Sequence, residues 1–261
     1  MSITEPTGVR SSYVGFKGLA PAPVEDFYGS SRLTPTTLAQ LAAAEETWAE
    51  ILAFHDQLAT DRYVSYVDGF YRECSRRFGR HWFYLDIVNV LYAAAKALQP
   101  KAYLEIGVRR GRSACTVARA CPAVDMVACD MWQPGYAGMA NPGPAFVEAE
   151  LRKHGHRGEV HFLNGDSHRV LPEIFDLNPS LRFDLITVDG DHTEAGAMAD
   201  LRDVLPRLNV GGVIVFDDIA HPAHPYLARV WRQAVAEDPG LVSYEFGEIG
   251  YGVAFAIRMT G

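Results

Sequence analysis

The spacing of hydrophobic residues changes near Pro100, and the change divides the chain into two predicted regions. Before it, apolar residues such as Leu38, Trp48 and Ile51 recur at helical spacing. Such spacing predicts amphipathic helices that each bury one face. The helices predicted in this region begin at Thr34-Pro35 and extend over residues 61–78 and 82–98.

Residues 1–33 precede these helices and are rich in Gly, Pro and Ser, which indicates an irregular arm. Its aromatic side chains are expected to pack on the active-site mouth or on another subunit, so we expect a homo-oligomer. Residues 1–80 are predicted to form the arm and helices, as a cap or an oligomer contact, and residues 81–261 a second domain. The aromatic residues of the arm are Tyr13, Phe16, Phe27 and Tyr28.

Short apolar runs alternate with amphipathic stretches after Pro100. This alternation is typical of a parallel sheet with helices on both faces. The last two runs are joined only by residues 247–252, which predicts an antiparallel hairpin at one edge. The fold class is therefore α/β: a doubly wound, Rossmann-like, seven-stranded and mostly parallel sheet with an N-terminal helical extension. The predicted strands are Ala102–Gly107, Val124–Asp130, Val160–Leu163, Phe183–Asp189, Val213–Asp217, Leu241–Phe246 and Val253–Ile257.

Composition and charge narrow the classes of function. The 261 residues are 48% hydrophobic and 21% charged, as in a globular protein, and the formal net charge is −8. That charge argues against nucleic acid as a partner. No run approaches the roughly 18 apolar residues of a membrane helix, and no signal-peptide pattern is expected at the N-terminus. The four cysteines form no C-x-x-C pair, so we expect reduced thiols in a cytoplasmic protein.

The ends of the predicted strands carry the candidate chemistry, because ligands bind beyond the carboxyl ends of strands in such sheets. Strand one ends in the pattern E-x-G-x-x-x-G-x-S, in which Gly107 allows a sharp turn and a close approach of a ligand. This pattern is not the G-x-G-x-x-G of dinucleotide folds, which counts against an NAD-dependent oxidoreductase. Strand two ends at Asp130, where an acid can accept hydrogen bonds from both ribose hydroxyls.

Acids also follow the next three strands. An isolated acid at such a position is usually a helix cap, but five in succession at one sheet edge predict a nucleotide-type site. Residues 184–218 hold eight acids and only two basic residues, so most of the net negative charge of the chain lies there. The three segments are Asn164-Gly165-Asp166-Ser167, Asp189-Gly190-Asp191-His192 and Asp217-Asp218.

This combination resembles the class I S-adenosylmethionine-dependent methyltransferases over roughly residues 82–258. The resemblance implies that the first motif holds the methionine part of the cofactor, that Asp130 binds its ribose, and that Asp166 lies near its adenine amine. It also implies an enzyme that transfers a methyl group to a small-molecule acceptor. The positions predicted to bind S-adenosylmethionine are Glu105, Gly107, Gly111, Ser113, Asp130, Met131, Trp132, Asp166, Ser167 and Asp189.

The acids after strands four and five resemble more narrowly the metal-dependent sugar O-methyltransferases of the macrocin and novobiocin type. This implies that Asp189, Asp217 and Asp218 hold Mg²⁺, or alternatively Mn²⁺ or Ca²⁺, and that Asp191 is the general base. Carboxylates that converge repel one another without a cation, and oxygen ligands select these ions. The expected acceptor is a hydroxyl of a sugar, glycoside or saccharide. A catechol-like phenol and a non-catalytic cofactor-binding protein are the alternatives.

The identity of the base stays open between Asp191 and His192. In an extended segment Asp189 and Asp191 point to the same side and His192 to the opposite side, which favours Asp191. A base near the metal would take the proton of the acceptor hydroxyl. His221 and His224 are either acceptor-pocket residues or packing residues.

Two further segments flank the predicted site. The Gly/Pro-rich loop 131–146, which includes Trp132 and Tyr136, is either a lid over cofactor and acceptor or an ordinary surface connection. A small basic cluster is either solvated or contacts a cofactor carboxylate or an acidic acceptor. Its members are Arg109, Arg110 and Arg112.

Overall fold

Nine α-helices and seven strands make up the part of the chain that this computed structural model describes, residues 32–135 and 138–260. The predicted N-terminal arm up to residue 31 and Tyr136 lie outside these ranges. The helices are α1 Pro35–Ala43, α2 Glu45–His55, α3 Arg62–Phe78, α4 Ile87–Leu98, α5 Arg112–Ala120, α6 Pro144–Lys153, α7 Ser167–Leu177, α8 Glu194–Val204 and α9 Leu227–Ala236. The strands are β1 Ala102–Ile106, β2 Asp125–Asp130, β3 Val160–Asn164, β4 Phe183–Val188, β5 Leu208–Asp217, β6 Leu241–Phe246 and β7 Val253–Arg258.

The strands form one sheet in the order β3-β2-β1-β4-β5-β7-β6. The first five strands are parallel, whereas β7 is antiparallel to both β5 and β6. This confirms the predicted doubly wound, mostly parallel sheet with an antiparallel edge hairpin. Because the order reverses between β1 and β4, the carboxyl ends of β1 to β5 face a common crevice at that point.

Apolar side chains cover both faces of the sheet. On one face, Trp48 and Tyr71 of the N-terminal helices share a core with Tyr103 of β1, and on the other face Trp231 of α9 packs near Ile186 of β4. The described residues from Leu33 onward thus form one compact unit. A separate role for residues 1–80, as a cap or oligomer contact, stays a prediction.

The helix predicted over residues 82–98 begins later, at Ile87. Asp86 is its N-cap residue, and the Asp86 amide donates to Oδ1 of Asn89 at 2.8 Å. This cap fixes the start of the helix, since the Asn89 side chain satisfies a backbone donor there. The predicted helix after Thr34-Pro35 is likewise divided at Ala44, whose backbone is extended.

The four cysteines are free thiols, and Cys115, Cys121 and Cys129 are buried as predicted. Burial raises the pKa of Cys115 and of Cys129 to about 12. These thiols are therefore protonated at neutral pH and serve as small core side chains. None of the described helices is long and apolar enough to cross a membrane.

Candidate active site

A cavity of about 790 Å³ opens where the carboxyl ends of β1 to β5 meet. This volume lies in the range of small-molecule sites and leaves room for a cofactor and an acceptor. The predicted site residues that line it are Gly107, Ser113, Asp130, Met131, Asp166, Ser167, Asp189, Asp191, His192, Asp217 and Asp218.

The loop after β1 depends on its two glycines. Gly107 has φ +88°, and a Cβ there would lie 1.9 Å from the carbonyl oxygen of Asp189. Gly111 has φ +72° and begins α5, and a Cβ there would lie 2.7 Å from the Val147 side chain. Because L side chains rarely adopt such angles, these positions need glycine for the loop to follow the cavity wall.

Glu105 lies beneath this loop rather than at the cavity surface, since only 1% of it is exposed. Its carboxylate accepts hydrogen bonds from the hydroxyl of Ser113 and, at 3.1 Å, from that of Tyr103. Burial raises the pKa of Glu105 to about 8 despite these donors. Ser113, at the cavity wall, therefore separates Glu105 from the space that a ligand would occupy.

Asp130 is already fully engaged by its own chain. Oδ2 accepts the amides of Val108 and Arg109 at 2.9 and 2.7 Å, and Oδ1 accepts the Trp132 amide at 2.5 Å and the side chain of Asn141 at 3.2 Å. A carboxylate has about four acceptor positions. A ribose hydroxyl would therefore have to replace one of these donors, the side chain of Asn141 being the most weakly held.

The segment after Asp130 divides its side chains between the cavity and the protein. Met131 lines the cavity and is 56% exposed. Trp132 instead donates its indole N–H to Oδ1 of Asn164 at 2.7 Å and packs edge-on against Phe162. Met139 also lines the cavity, so part of the predicted lid loop does face it. A lid function for the loop stays a prediction.

Asp166 and Ser167 begin α7 at the cavity edge. Asp166 is the N-cap residue and accepts the amide of His168 at 3.0 Å. The side chain of His168, which sequence reasoning missed, also lines the cavity. The helix-cap interpretation of Asp166 is therefore confirmed, and its place near adenine stays a prediction.

Three side chains that could bind a metal converge, and they belong to Asp189, His192 and Asp218. The Nε2 atom of His192 lies 3.3 Å from Asp189 Oδ1 and 3.4 Å from Asp218 Oδ2, and the three ligand atoms lie within 4.8 Å of one another. The predicted orientation of His192, away from Asp189, is therefore wrong. The chain bends at Gly190 instead of staying extended, and the bend turns His192 back toward the acids.

The charges at this point are unbalanced. Burial and then the neighbouring carboxylates raise the pKa of Asp218 to about 7 and that of Asp217 well above its ordinary value. Although burial lowers it, contact with Asp189 and Asp218 raises the pKa of His192. Asp218 also has φ +62°, an unusual backbone angle for a residue other than glycine. Strain together with like charges is typical of a ligand site.

Asp191 turns to the other side of the bend. Its Oδ1 accepts the amide of Thr193 at 2.7 Å, and its Oδ2 lies 3.3 Å from Nε2 of His168. Although burial raises it, these partners hold the pKa of Asp191 below its ordinary value. The other nitrogen of His168 lies 3.4 Å from Asp200, a fully buried carboxylate on α8. The side chains of Asp191 and His192 therefore point to different sides of the bend and contact different partners.

Two members of the predicted basic cluster form ion pairs, one with an acid just before α3 and the other with an acid on α3. Nη1 of Arg109 lies 3.3 Å from Asp61, and Nη1 of Arg112 lies 3.9 Å from Asp68. Arg110 lies over the ring of Phe146 at 4.9 Å. These contacts join the loop after β1 to the region of α3 and to α6, so the arginines are not simply solvated. A contact between them and a ligand stays a prediction.

Comparisons with known proteins agree with this geometry. Residues 104–219 match the family model of a methyltransferase domain. TomG, an O-methyltransferase from Streptomyces achromogenes involved in tomaymycin synthesis, is 21% identical, with a TM-score of 0.53 over 83% of this chain and 99% of its own. An O-methyltransferase from Bacillus cereus is 16% identical, with a TM-score of 0.53 over 82% of this chain and 99% of its own.

A third solved structure is CalS11, a TDP-rhamnose 3'-O-methyltransferase of calicheamicin biosynthesis. It is 20% identical, with a TM-score of 0.50 over 89% of this chain and 98% of its own. No curated protein matches the sequence significantly. Residues 104–219 thus match a methyltransferase domain, and the chain has the fold of these O-methyltransferases, in agreement with the resemblance that the sequence indicated.

Proposed function

We propose that this protein is an O-methyltransferase that uses a divalent cation, Mg²⁺ foremost, to methylate a hydroxyl of a sugar, glycoside or saccharide. The observation that carries the proposal is the convergence of acids from the ends of β4 and β5. They line the same cavity as the glycine loop. The sugar acceptor is further supported by the resemblance of these acids to the macrocin and novobiocin group. CalS11, which shares the fold, acts on a TDP-rhamnose.

The donor set fits a hard cation. Asp189, Asp217 and Asp218 offer carboxylate oxygens, and burial followed by the neighbouring carboxylates raises the pKa of the last two. Carboxylate oxygens are the ligands that Mg²⁺, Mn²⁺ and Ca²⁺ prefer. A bound cation supplies one piece of chemistry, which is a lower pKa for a hydroxyl that coordinates it.

The side chains around these acids supply the remaining functions. His192 lies within 3.4 Å of two of the acids, so its ring is placed to take a proton from a hydroxyl bound beside them. Asp191 contacts Thr193 and His168, which makes it the weaker candidate for the base. The loop from Gly107 to Ser113 orients S-adenosylmethionine, whose sulfonium is already activated, so alignment of the reacting atoms is the main task of the protein.

Calorimetric titration tests the cofactor. S-adenosylhomocysteine is expected to bind and NAD is not, because the loop after β1 lacks the dinucleotide pattern. Failure of S-adenosylhomocysteine to bind would contradict the proposal at its first step.

A screen of sugars, glycosides and phenols, read by the mass gain of one methyl group, tests the acceptor. Turnover of a saccharide that stops with EDTA and returns with Mg²⁺ is the expected result. Turnover of phenols alone would favour the catechol alternative. Cofactor binding with no turnover of any acceptor would favour a non-catalytic protein.

A further inference from the structure

One histidine at the cavity wall, His168, lies between two carboxylates from different parts of the chain. Its Nε2 atom lies 3.3 Å from Oδ2 of Asp191, in the loop after β4, and its Nδ1 atom lies 3.4 Å from Oδ1 of Asp200, on α8. His168 itself lies in the first turn of α7. Its ring therefore joins α7, which follows β3, to the loop and the helix that follow β4.

Asp200 fixes one side of this arrangement. It is fully buried, and burial raises its pKa to about 6, although Ser167 and His168 at the start of α7 counter that rise. It lies directly beneath the bend, since a Cβ at Gly190 would lie 3.3 Å from Oδ2 of Asp200 and 2.7 Å from the side chain of Ile106. Because a buried carboxylate is costly without a donor or a cation beside it, Asp200 favours a ring nitrogen of His168 at this place.

The side chain of Asp191 fits closely against the start of α8. Its Oδ1 atom accepts the amide of Thr193, the N-cap residue of this helix, at 2.7 Å. Its Oδ2 atom lies over Gly196, where an added Cβ would come within 1.9 Å of it. Both neighbours belong to the same segment as Asp191, and the hydrogen bond with His168 adds a contact from α7. The carboxylate is thus held from two elements.

The bend carries side chains to both of its sides. Asp191 faces His168 and α8, whereas His192 turns back to Asp189, with 3.3 Å between Nε2 and Oδ1. Asp191 stands between Asp189 and His192 in the sequence, so the place of its carboxylate determines the path of the backbone that carries both. Contacts behind the ligands of a metal site are known to orient those ligands.

We propose that His168 is a positioning residue of the active site. It holds Asp191 against α8, and the bend then keeps Asp189 and His192 turned toward each other. The ring acts through Asp191 and needs no contact with the acceptor or the cation. This role rests on the proposed function, because it concerns the geometry of the same acids.

Two substitutions separate the contacts of His168. The amide of a Gln side chain reaches as far as Nε2 of a histidine ring, so H168Q can still donate to Asp191. The shorter Asn side chain of H168N reaches only as far as Nδ1, so it can donate to Asp200 alone. H168N should therefore release the bend, and H168Q should retain it. The matched control is H161N, because His161 is an exposed histidine on β3 that also lies 3.3 Å from a carboxylate, that of Glu159.

Histidine rings labelled with ¹³C report the bend by NMR in the metal-free full chain, and the His192 signal is assigned from its absence in H192Q. We expect this signal to move or broaden in H168N and to keep its wild-type position in H168Q and H161N. Both His168 variants lose the ring, so a difference between them reports the contact with Asp191. Calorimetric titration with Mn²⁺ should show an affinity about tenfold lower in H168N and within about threefold of wild type in H168Q.

S-adenosylhomocysteine should bind to both His168 variants as to wild type, and all measurements are made below the melting temperature of each protein. An unmoved His192 signal in H168N, even with a lower melting temperature, would reduce His168 to a packing residue and overturn the proposal. A moved signal in H168Q would overturn it as well, and this holds even if H168N does not fold. Failure of Mn²⁺ or S-adenosylhomocysteine to bind to wild type would instead contradict the proposed function, while the NMR comparison would still test the role of His168.

Discussion

The acids in the two halves of the cavity have opposite surroundings. Around β1 and β2, Asp130 accepts four hydrogen bonds and Glu105 accepts two. Around β4 and β5, Asp189 and Asp218 face each other across one histidine, and the pKa of Asp218 rises to about 7. The first half satisfies its acids from within the chain, whereas the second brings acids together around a single histidine, where we propose that a cation binds.

This contrast separates two kinds of preorganisation. Acids that hold backbone amides fix the shape of a loop before a ligand arrives, and their removal damages the protein itself. Acids that repel one another lower the free energy of unfolding of the metal-free protein. A bound cation reduces that repulsion and should raise the free energy of unfolding. Substitutions in the two halves should therefore affect different measurements.

The largest effect is expected from D218N. Loss of one carboxylate from the converging acids should lower kcat at least about a hundredfold, because both cation and acceptor lose a fixed partner. Binding of S-adenosylhomocysteine, measured by calorimetry, should stay within about threefold of wild type. The control is E159Q, since Glu159 is an exposed acid that precedes β3. If D218N keeps the wild-type kcat, Asp218 is not part of the active site.

D130N should act mainly on stability. The amide group of Asn cannot accept the backbone N–H groups that one oxygen of Asp130 now accepts, so about 2 kcal/mol of unfolding free energy should be lost. Affinity for S-adenosylhomocysteine should fall with it, because the loop at Val108 and Arg109 loses its anchor. D166N is the matched control, because the Asp166 side chain accepts the His168 amide at a helix cap. Equal urea midpoints or equal melting temperatures for D130N and D166N would contradict this interpretation of the first half.

Mg²⁺ should stabilise the wild-type protein but not D218N, because the expected cation site lies in the second half of the cavity. Without metal at pH 8, D218N should melt at or above the temperature of wild type, since one repelling charge is gone. Addition of Mg²⁺ should raise the melting temperature of wild type by about 3 °C and leave that of D218N unchanged. Scanning fluorimetry with EDTA and with Mg²⁺ measures both. Equal shifts in the two proteins would show that the cation binds elsewhere.

Much of this layout could be predicted from the sequence, because local patterns determine where strands end. Each of five predicted residues lies within two positions of the end of a strand, and the fold brings those ends to one cavity: Gly107, Asp130, Asp166, Asp189 and Asp217. The alternation of strands and helices, together with the run of acids that follow the strands, indicated the site.

Side-chain partners could not be predicted, because they depend on bends and on contacts distant in sequence. The bend at Gly190 turns His192 toward Asp218, and no pattern in the segment indicates it. The pairing of Arg112 with Asp68 joins residues 44 positions apart. The contact of His168 with the buried Asp200 similarly joins α7 to α8.

The smallest expected effect concerns Glu105 and pH. Burial raises the pKa of Glu105 in the folded protein to about 8, above its ordinary value of 4.5. A raised pKa in the folded state means that its contribution to stability is complete below about pH 4.5 and is lost as the pH rises through about 8. Urea unfolding between pH 5 and pH 8.5 should therefore show a steeper fall for wild type than for E105Q, which cannot ionise. E159Q should follow the wild-type slope. Parallel profiles for E105Q and wild type would mean that Glu105 is ionised throughout, and that the hydroxyls of Ser113 and Tyr103 stabilise its charge against burial.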